Sequence, residues 1–341
     1  MIKEAIAKAV EGDDLTQKEM EGAMEEIMTG NATPAQIGSF ITALRIKGET
    51  VDEITGAAMV MRAKAVKVNL NDDILLDTCG TGGDGTHTFN VSTATAFVAA
   101  GGGVKVAKHG NRAVSSLCGS ADVVKNLGVS LDISPVDVGR CIQEVGIGFL
   151  FAPLYHGAMK YAAGPRQEIG LRTIFNMLGP LTNPAGATVQ VLGVYAQELT
   201  DKIARVLGKL GTKEAFVVCG EGTFDEISIC SPTRVSHLTD GNVETFEMTP
   251  EQYGFKRVNP EEIKGGDAQE SAQIIRELLD GEKGPKRDMV VLNAAAAFVV
   301  AGLDEDFVKG IERAKDCIDS GGAKEKLNDL VDFTRQCDVS G

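Results

Sequence analysis

Residues 77 to 93 hold the densest set of groups able to manage an anion: Asp77-Thr78-Cys79-Gly80-Thr81-Gly82-Gly83-Asp84-Gly85-Thr86-His87-Thr88-Phe89-Asn90-Val91-Ser92-Thr93. Four glycines within six positions let the backbone approach a ligand and take φ > 0. The Ala/Val segment that follows reads as a helix, whose first N–H groups and positive dipole end favour phosphate. Ser92 and Thr93 can cap that helix or offer hydroxyls to phosphate or metal. A tight turn without a ligand would use the same glycines, so this loop alone does not decide.

A second loop, Lys108-His109-Gly110-Asn111-Arg112-Ala113-Val114-Ser115-Ser116, gathers three cationic or ionisable side chains and two hydroxyls. Cys118-Gly119-Ser120-Ala121-Asp122 then opens another helix with Ser120 at its start. A solvated basic turn is the plainer alternative. Both loops follow apolar runs, which puts them at strand C-terminal ends, where open α/β sheets hold ligands. Asp225-Glu226, after Gly220 and Gly222, supplies adjacent hard carboxylates of the kind Mg²⁺ prefers. A fourth stretch runs from Phe151-Ala152-Pro153 to Arg166. Tyr155, His156 and Met159 could wall an apolar pocket there, with Arg166 facing a carboxylate.

The elements that must carry these loops can be read from periodicity and caps. Residues 1–68 read as helices: Thr16-x-x-Glu19 is a capping box closed by Gly30, and Thr33-Pro34 caps a stripe of Ile37, Phe40, Ile41 and Leu44. Thr50-x-x-Glu53 opens a third helix. From Ile74 onward, strands at 74–77, 103–107, 147–151, 188–195, 214–219 and 289–292 are expected. Helices including 91–100, 120–127 and 199–210 lie between them, implying a mostly parallel, helix-covered sheet. Residues 227–231, 234–238 and 243–246, with Asp240-Gly241 as a turn, read as an antiparallel excursion. Residues 154–179 carry a helical pattern that fits the sheet poorly and is expected to pack back on the N-terminal helices. The fold class is α/β, with a small discontinuous helical domain (1–69, joined by about 160–183) and a large α/β domain (70–341).

The 341 residues carry a net charge of −14, which excludes the concentrated basic face of a nucleic-acid binder. An acidic chain that binds a phosphorylated ligand must place its few cations locally or recruit metal ions. No apolar run approaches the roughly 20 residues that span a bilayer, and the N-terminus lacks a signal-peptide core. Seven cysteines without a Cys-x-x-Cys suggest neither disulfides nor zinc, so a reducing cytoplasm fits, with Cys79, Cys118, Cys219 and Cys230 expected to be buried.

Six segments together carry a resemblance that covers the chain in order. They are the loop 77–84, Asn90-Val-Ser-Thr93, Lys108-His-Gly-Asn-Arg112, Cys-Gly-Ser-Ala-Asp122, Arg172-Thr-Ile-Phe-Asn-Met-Leu-Gly-Pro-Leu-Thr-Asn-Pro184 and Asp225-Glu226. The chain resembles the anthranilate phosphoribosyltransferase family of tryptophan biosynthesis. The resemblance implies a homodimer formed through the helical domain, and transfer of phosphoribose from 5-phosphoribosyl-1-pyrophosphate to anthranilate. By resemblance, Gly80, Gly83, Asp84, Thr88, Asn90, Val91, Ser92, Thr93, Lys108 to Ser116 and Ser120 hold the donor. Ser92, Asp225 and Glu226 hold two Mg²⁺ ions. Gly80, Asn111, Pro153, His156 and Arg166 face anthranilate, and Lys108, His109 and Arg166 do catalytic work. Gly164-Pro165-Arg166-Gln167 departs from the family's usual Pro-Val-Arg-Arg/Lys but keeps Arg166 in register. A nucleoside phosphorylase of the same fold and a non-catalytic nucleic-acid-binding relative are the other readings. The acid pair and the net charge argue against them.

Overall fold

The computed structural model describes residues 1–70, 72–83, 85–112 and 118–338. Four helices come first: α1 (Ile2–Glu11), α2 (Gln17–Met28), α3 (Pro34–Lys47) and α4 (Val51–Lys64). Thr16, Thr33 and Thr50 each accept the amide three residues on, while Glu19, Gln36 and Glu53 reach back to the amide of the cap. Each cap stabilises its helix by about 1 kcal/mol. Glu53 also ties the bundle together. Its Oε1 accepts the Leu15 amide at 2.9 Å, and its Oε2 accepts the Lys47 ammonium at 3.0 Å in a pair almost wholly out of solvent.

The larger part alternates strands and helices: β1 (Leu76–Gly80), α5 (Val91–Gly101), β2 (Val106–Gly110), α6 (Ser120–Leu127), α7 (Pro135–Glu144) and β3 (Ile147–Phe151). Three short helices follow, α8 (Ala152–Tyr155), α9 (Lys160–Ile169) and α10 (Ile174–Leu178). Then come β4 (Val189–Gly193), α11 (Leu199–Lys209), β5 (Glu214–Gly220), β6 (Thr233–Thr239) and β7 (Asn242–Met248). Four helices end the chain: α12 (Ala268–Leu279), α13 (Pro285–Val300), α14 (Phe307–Asp319) and α15 (Gly322–Asp338).

The strands form one sheet in the order β3-β2-β1-β4-β5-β6-β7. The five from β3 to β5 are parallel, and β5, β6 and β7 are antiparallel. Alternate residues serve two cores. Leu76, Val191, Phe216 and Val218 pack with α5, α13 and α14, whereas Leu192, Val217 and Cys219 pack with α11 and the N-terminal helices. The segment expected to return to the helical layer does so: α9 packs on α2 and α3, and α10 on α3 and α4.

Four expectations are corrected. Residues 289–292 are not a strand but part of α13, where Met289 to Leu292 and Ala294 to Ala297 are all buried. A helix buried all round shows no polar stripe, so its apolar run mimics a buried strand. Residues 227–231 are not a strand either, because side chains take their amides: Asn293 Oδ1 accepts from Ile227, Thr233 Oγ1 from Ser228 and Ser228 Oγ from Cys230. Helix α5 is capped at Asn90 without a side-chain bond, so Ser92 and Thr93 lie inside its first turn. Cys79 and Cys219 are buried as expected, but Cys118 and Cys230 are only half-buried. Among the described residues no helix is long and apolar enough to cross a membrane.

Replacing Glu53 by Ala leaves the buried Leu15 amide without its acceptor, while the Lys47 ammonium keeps Asp14 at 2.7 Å and the Gly48 carbonyl at 2.9 Å. The expected loss is about 1–3 kcal/mol, read as a shift of the urea unfolding midpoint with α/β-domain ligand binding used to confirm that the rest stays folded.

Candidate active site

The acid pair meets the first glycine loop through backbone amides. Asp225 Oδ2 accepts the Gly82 amide at 2.8 Å, and Glu226 Oε1 accepts the Ser92 amide at 3.1 Å. Two missing side chains allow this approach. A Cβ on Gly80 would lie 2.3 Å from Asp225 Oδ2, and one on Gly193 would lie 1.5 Å from the Asp225 carbonyl oxygen. The Thr81 amide donates to the Gly193 carbonyl at 2.9 Å, so β1, β4 and the acid loop are locked together at their ends. Behind the pair, Asn293 of α13 accepts the Ile227 amide at 3.0 Å and donates to the Ile227 carbonyl at 2.9 Å. One buried side chain thus fixes the exit direction of the acid loop.

Lys108 is buried in the middle of β2, not on an open turn. Its Nζ donates to the Thr78 carbonyl at 2.6 Å and to Ser92 Oγ at 3.3 Å. Thr78 Oγ1 donates in turn to the Ser92 carbonyl at 2.9 Å. Burial pushes the Lys108 ammonium below its ordinary range, while Asp77, Cys79 and Glu226 pull it back up. Asp77 is the buried counter-charge. Desolvation raises its carboxyl to about 6, against the opposing pull of Lys108 and of the hydrogen bonds from Asn183 and the His109 amide.

The second loop turns away from β2 beside Ser120. A Cβ on Gly110 would sit 2.3 Å from Ser120 Oγ, so the glycine admits that hydroxyl. The Asn111 carbonyl accepts the Ala121 amide at 3.1 Å, and the exposed Arg112 lies 5.6 Å over the Phe151 ring. Asn90 Nδ2 faces Cys118 Sγ at 3.8 Å, while Thr88 bridges to Lys264. Gly83 keeps a left-handed φ of 68°. Val91 and Thr93 are buried in the first turn of α5. Asp84, Ala113, Val114, Ser115 and Ser116 lie outside the described residues.

On the other side stand two histidines with ring centroids 5.1 Å apart, His109 from β2 and His156 after α8. The Nε2 atoms of both are buried and meet no hydrogen-bond partner among the described residues, as is true of the Tyr155 hydroxyl. Desolvation first, then His156 and Lys108, push His109 down to about 3 despite a backbone hydrogen bond at Gly179. Desolvation and Lys67 push His156 to about 4. Pro153 is exposed at the start of α8. Arg166 sits on α9, 5.1 Å over the Phe175 ring, and burial lowers its guanidinium below the ordinary value. Pro165 is accommodated inside α9 without ending it, so the departure from the usual family sequence leaves Arg166 on a helix.

The structure therefore joins Gly80, Ser92, Lys108, Asp225 and Glu226 in one cluster, Gly110 with Ser120 in a second, and His109 with His156 in a third. Sequence reasoning assigned no role to Asp77, Asn183, Gly193 or Asn293. Asn293 could have been noticed as the one polar side chain in the Met289–Val300 run. Gly193, at the end of β4, is the other visible signal. Asp77 and Asn183 gave none beyond membership of the quoted segments.

Two adjacent carboxylates beside the Ser92 hydroxyl match the hard oxygen donors of Mg²⁺. Among the described residues there is no group of three or more His, Cys, Asp or Glu side chains placed to hold an ion unaided. The set fits an ion that takes its remaining ligands from a phosphorylated substrate and water.

Residues 72–324 match the α/β domain of a glycosyl transferase family, and residues 3–65 match the helical bundle domain of the same family. The chain is 58% identical over 334 residues to anthranilate phosphoribosyltransferase of Acetivibrio thermocellus, covering 98% of this chain and 97% of that one. It is 55% identical to the Geotalea uraniireducens enzyme, covering 98% and 100%. The fold is similar to the crystal structure of the Thermus thermophilus enzyme, with a TM-score of 0.92, 44% identity and coverage of 97% and 99%. The Saccharomyces cerevisiae enzyme in complex with PRPP and Mg is similar with a TM-score of 0.90, 28% identity and coverage of 98% of each chain. At this identity and coverage, the chain belongs to the anthranilate phosphoribosyltransferase family.

Proposed function

We propose that the chain transfers the 5-phosphoribosyl group of 5-phosphoribosyl-1-pyrophosphate to the amine of anthranilate, releasing pyrophosphate and forming N-(5-phosphoribosyl)anthranilate for tryptophan biosynthesis. The observation that carries this reading is the meeting of Asp225 and Glu226 with the amides of Gly82 and Ser92 beside the buried Lys108. Carboxylates, amides and an ammonium converging at strand ends suit a pyrophosphorylated sugar that arrives with its metal. The relatives' names and the PRPP–Mg and 4-fluoroanthranilate complexes of the yeast enzyme support it.

In this reading the donor lies over Gly80 to Thr93 and against residues 108–116 and Ser120. Asp225, Glu226 and Ser92 would hold two Mg²⁺ ions, which would supply positive charge against the pyrophosphate. Lys108 holds Ser92 and Thr78 in place and adds a fixed positive charge to the same cluster. Fixed charge aimed at a leaving group lowers the barrier without proton transfer. Asn111, Pro153, His156 and Arg166 bind anthranilate, Arg166 facing its carboxylate. An arylamine that has attacked the anomeric carbon is a strong acid, so a weak base suffices. His109 is neutral with an unpartnered Nε2, which suits it to accept a hydrogen bond from that amine. The helical layer, taken as residues 1–69 with about 160–183, closes over the acceptor and excludes water. A cytoplasmic homodimer formed through this layer agrees with its exposed Val10 and Ile46.

The direct test follows anthranilate fluorescence with and without the donor and Mg²⁺; loss of signal that needs neither would refute the reaction. Arg166→Ala should raise the anthranilate KM about 10- to 100-fold, as loss of a charge-assisted pair implies, with the donor KM nearly unchanged. Equal effects on both would refute its carboxylate role. Asp225→Asn with Glu226→Gln should abolish activity and Mg²⁺-dependent donor binding in calorimetry; a double variant of normal rate removes the metal assignment. The histidines set a pH dependence of stability. An unfolded chain protonates them near the ordinary value of about 6.5, whereas folded His109 and His156 resist until about 3 and about 4. Their native forms bind fewer protons in that window, so they cost stability as pH falls from 6.5 toward 4. His109→Asn should remove up to about 2 kcal/mol of the loss between pH 7 and 5, measured by urea unfolding.

A further inference from the structure

One fully buried titratable group, Asp77, has no part in the mechanism above, and the sheet is unusual where it lies. Strand β1 registers with β4 along five residues, Leu76 to Gly80, and β2 registers with β3 along five, Val106 to Gly110. Between β1 and β2 the register holds only at Leu76 and Val106. Beyond that pair, side chains serve the backbone groups along the seam. Asp77 Oδ1 accepts the His109 amide at 3.2 Å, Asn183 Nδ2 donates to the Ala107 carbonyl at 2.8 Å, and Lys108 Nζ donates to the Thr78 carbonyl at 2.6 Å. Asp77 and Asn183 also bind each other, Oδ2 accepting from Nδ2 at 2.8 Å, and both are buried.

Asn183 belongs to a strap that enters the sheet from the helical layer. Gln190 Nε2 donates to the Pro180 carbonyl at 2.7 Å, Arg62 Nε to the Leu181 carbonyl at 2.6 Å and the Val68 amide to the Pro184 carbonyl at 3.1 Å. Asn183 Oδ1 accepts the Ala185 amide at 2.9 Å, which fixes the orientation of its amide group. One carboxylate and one carboxamide therefore connect three things: the strand that ends in the glycine loop, the strand that carries Lys108 and His109, and the strap from the helical layer.

We propose that Asp77 and Asn183 are a positioning pair for the reaction: they hold the seam between β1 and β2 open and fix His109 and Lys108 relative to the glycine loop. Their effect passes through the peptide of His109 and the carbonyl of Ala107, without contact to either substrate. The inference rests on the assigned reaction for its kinetic arm only.

The pair can be tested by exchanging its donor and acceptor. Asp77→Asn sets a donor against a donor, either at Asn183 or at the His109 amide. A displacement of reacting groups by an ångström costs about 100-fold, and kcat/KM should fall by roughly that factor. Adding Asn183→Asp restores one donor to one acceptor across the pair while leaving the Ala107 carbonyl unserved, so about tenfold of the loss should return. An additive double variant, or an Asp77→Asn enzyme within twofold of the parent, overturns the proposal. Should Asp77→Asn fail to fold, Asn183→Ala provides a spectroscopic arm. The chain has four histidines, so their imidazole signals separate in a heteronuclear NMR spectrum. His109 and His156 should shift in Asn183→Ala while His237, hydrogen-bonded to Glu214, stays in place. Unmoved His109 signals in a folded Asn183→Ala protein overturn the proposal. If the parent chain did not consume anthranilate, the reaction would fall, yet the spectra would still decide the pair.

Discussion

The site depends on how closely one acidic loop can approach two strand ends. Asp225 reaches the Gly82 amide because Gly80 and Gly193 put backbone, not side chain, beneath it. With a methyl at 193 and its neighbour only 1.5 Å away, the loop would have to lift as a body. Glu226 would then leave the amide of Ser92, and the first turn of α5 would lose its acidic partner. Steric permission at two glycines thus governs the electrostatics of the whole strand-end cluster.

A chain of net charge −14 gathers its positive potential from few sources here. Lys108 is dehydrated but balanced by Asp77, and it directs its hydrogen bonds to Thr78 and Ser92. It acts as fixed, preorganised charge with few conformations to lose on binding, unlike an exposed lysine. The amides at the start of α5 add partial charges that cannot be neutralised by pH. Beside this cluster the two imidazoles of His109 and His156 contribute polarity without charge, because burial keeps them neutral.

Much of this was legible in the residue order. The three threonine caps, the strand–glycine-loop–helix unit and the Asp240-Gly241 hairpin are local, and local chemistry decides them. The acid pair was legible as a candidate site for the same reason, and the structure places it against the glycine loop. The failures share a different cause. The Met289–Leu292 run looked like a strand because a helix enclosed on every side loses the polar stripe that announces it. Residues 227–231 looked extended because no local signal shows that Asn293, some 66 residues on, takes the Ile227 amide. Asp77 stayed silent for a similar reason: its partners, His109 and Asn183, lie 32 and 106 residues away. Long-range hydrogen bonds from single side chains leave no period and no spacing to read.

The sheet also has a margin where, among the described residues, β7 pairs only with β6. Along it Asn242, Glu244 and Glu247 are exposed together with Phe246, so two carboxylates flank one apolar ring. Unsatisfied backbone groups on such a margin would otherwise recruit a strand from another molecule, and like charges discourage that. Extension of the sheet from copy to copy is therefore opposed by the carboxylates on its own border.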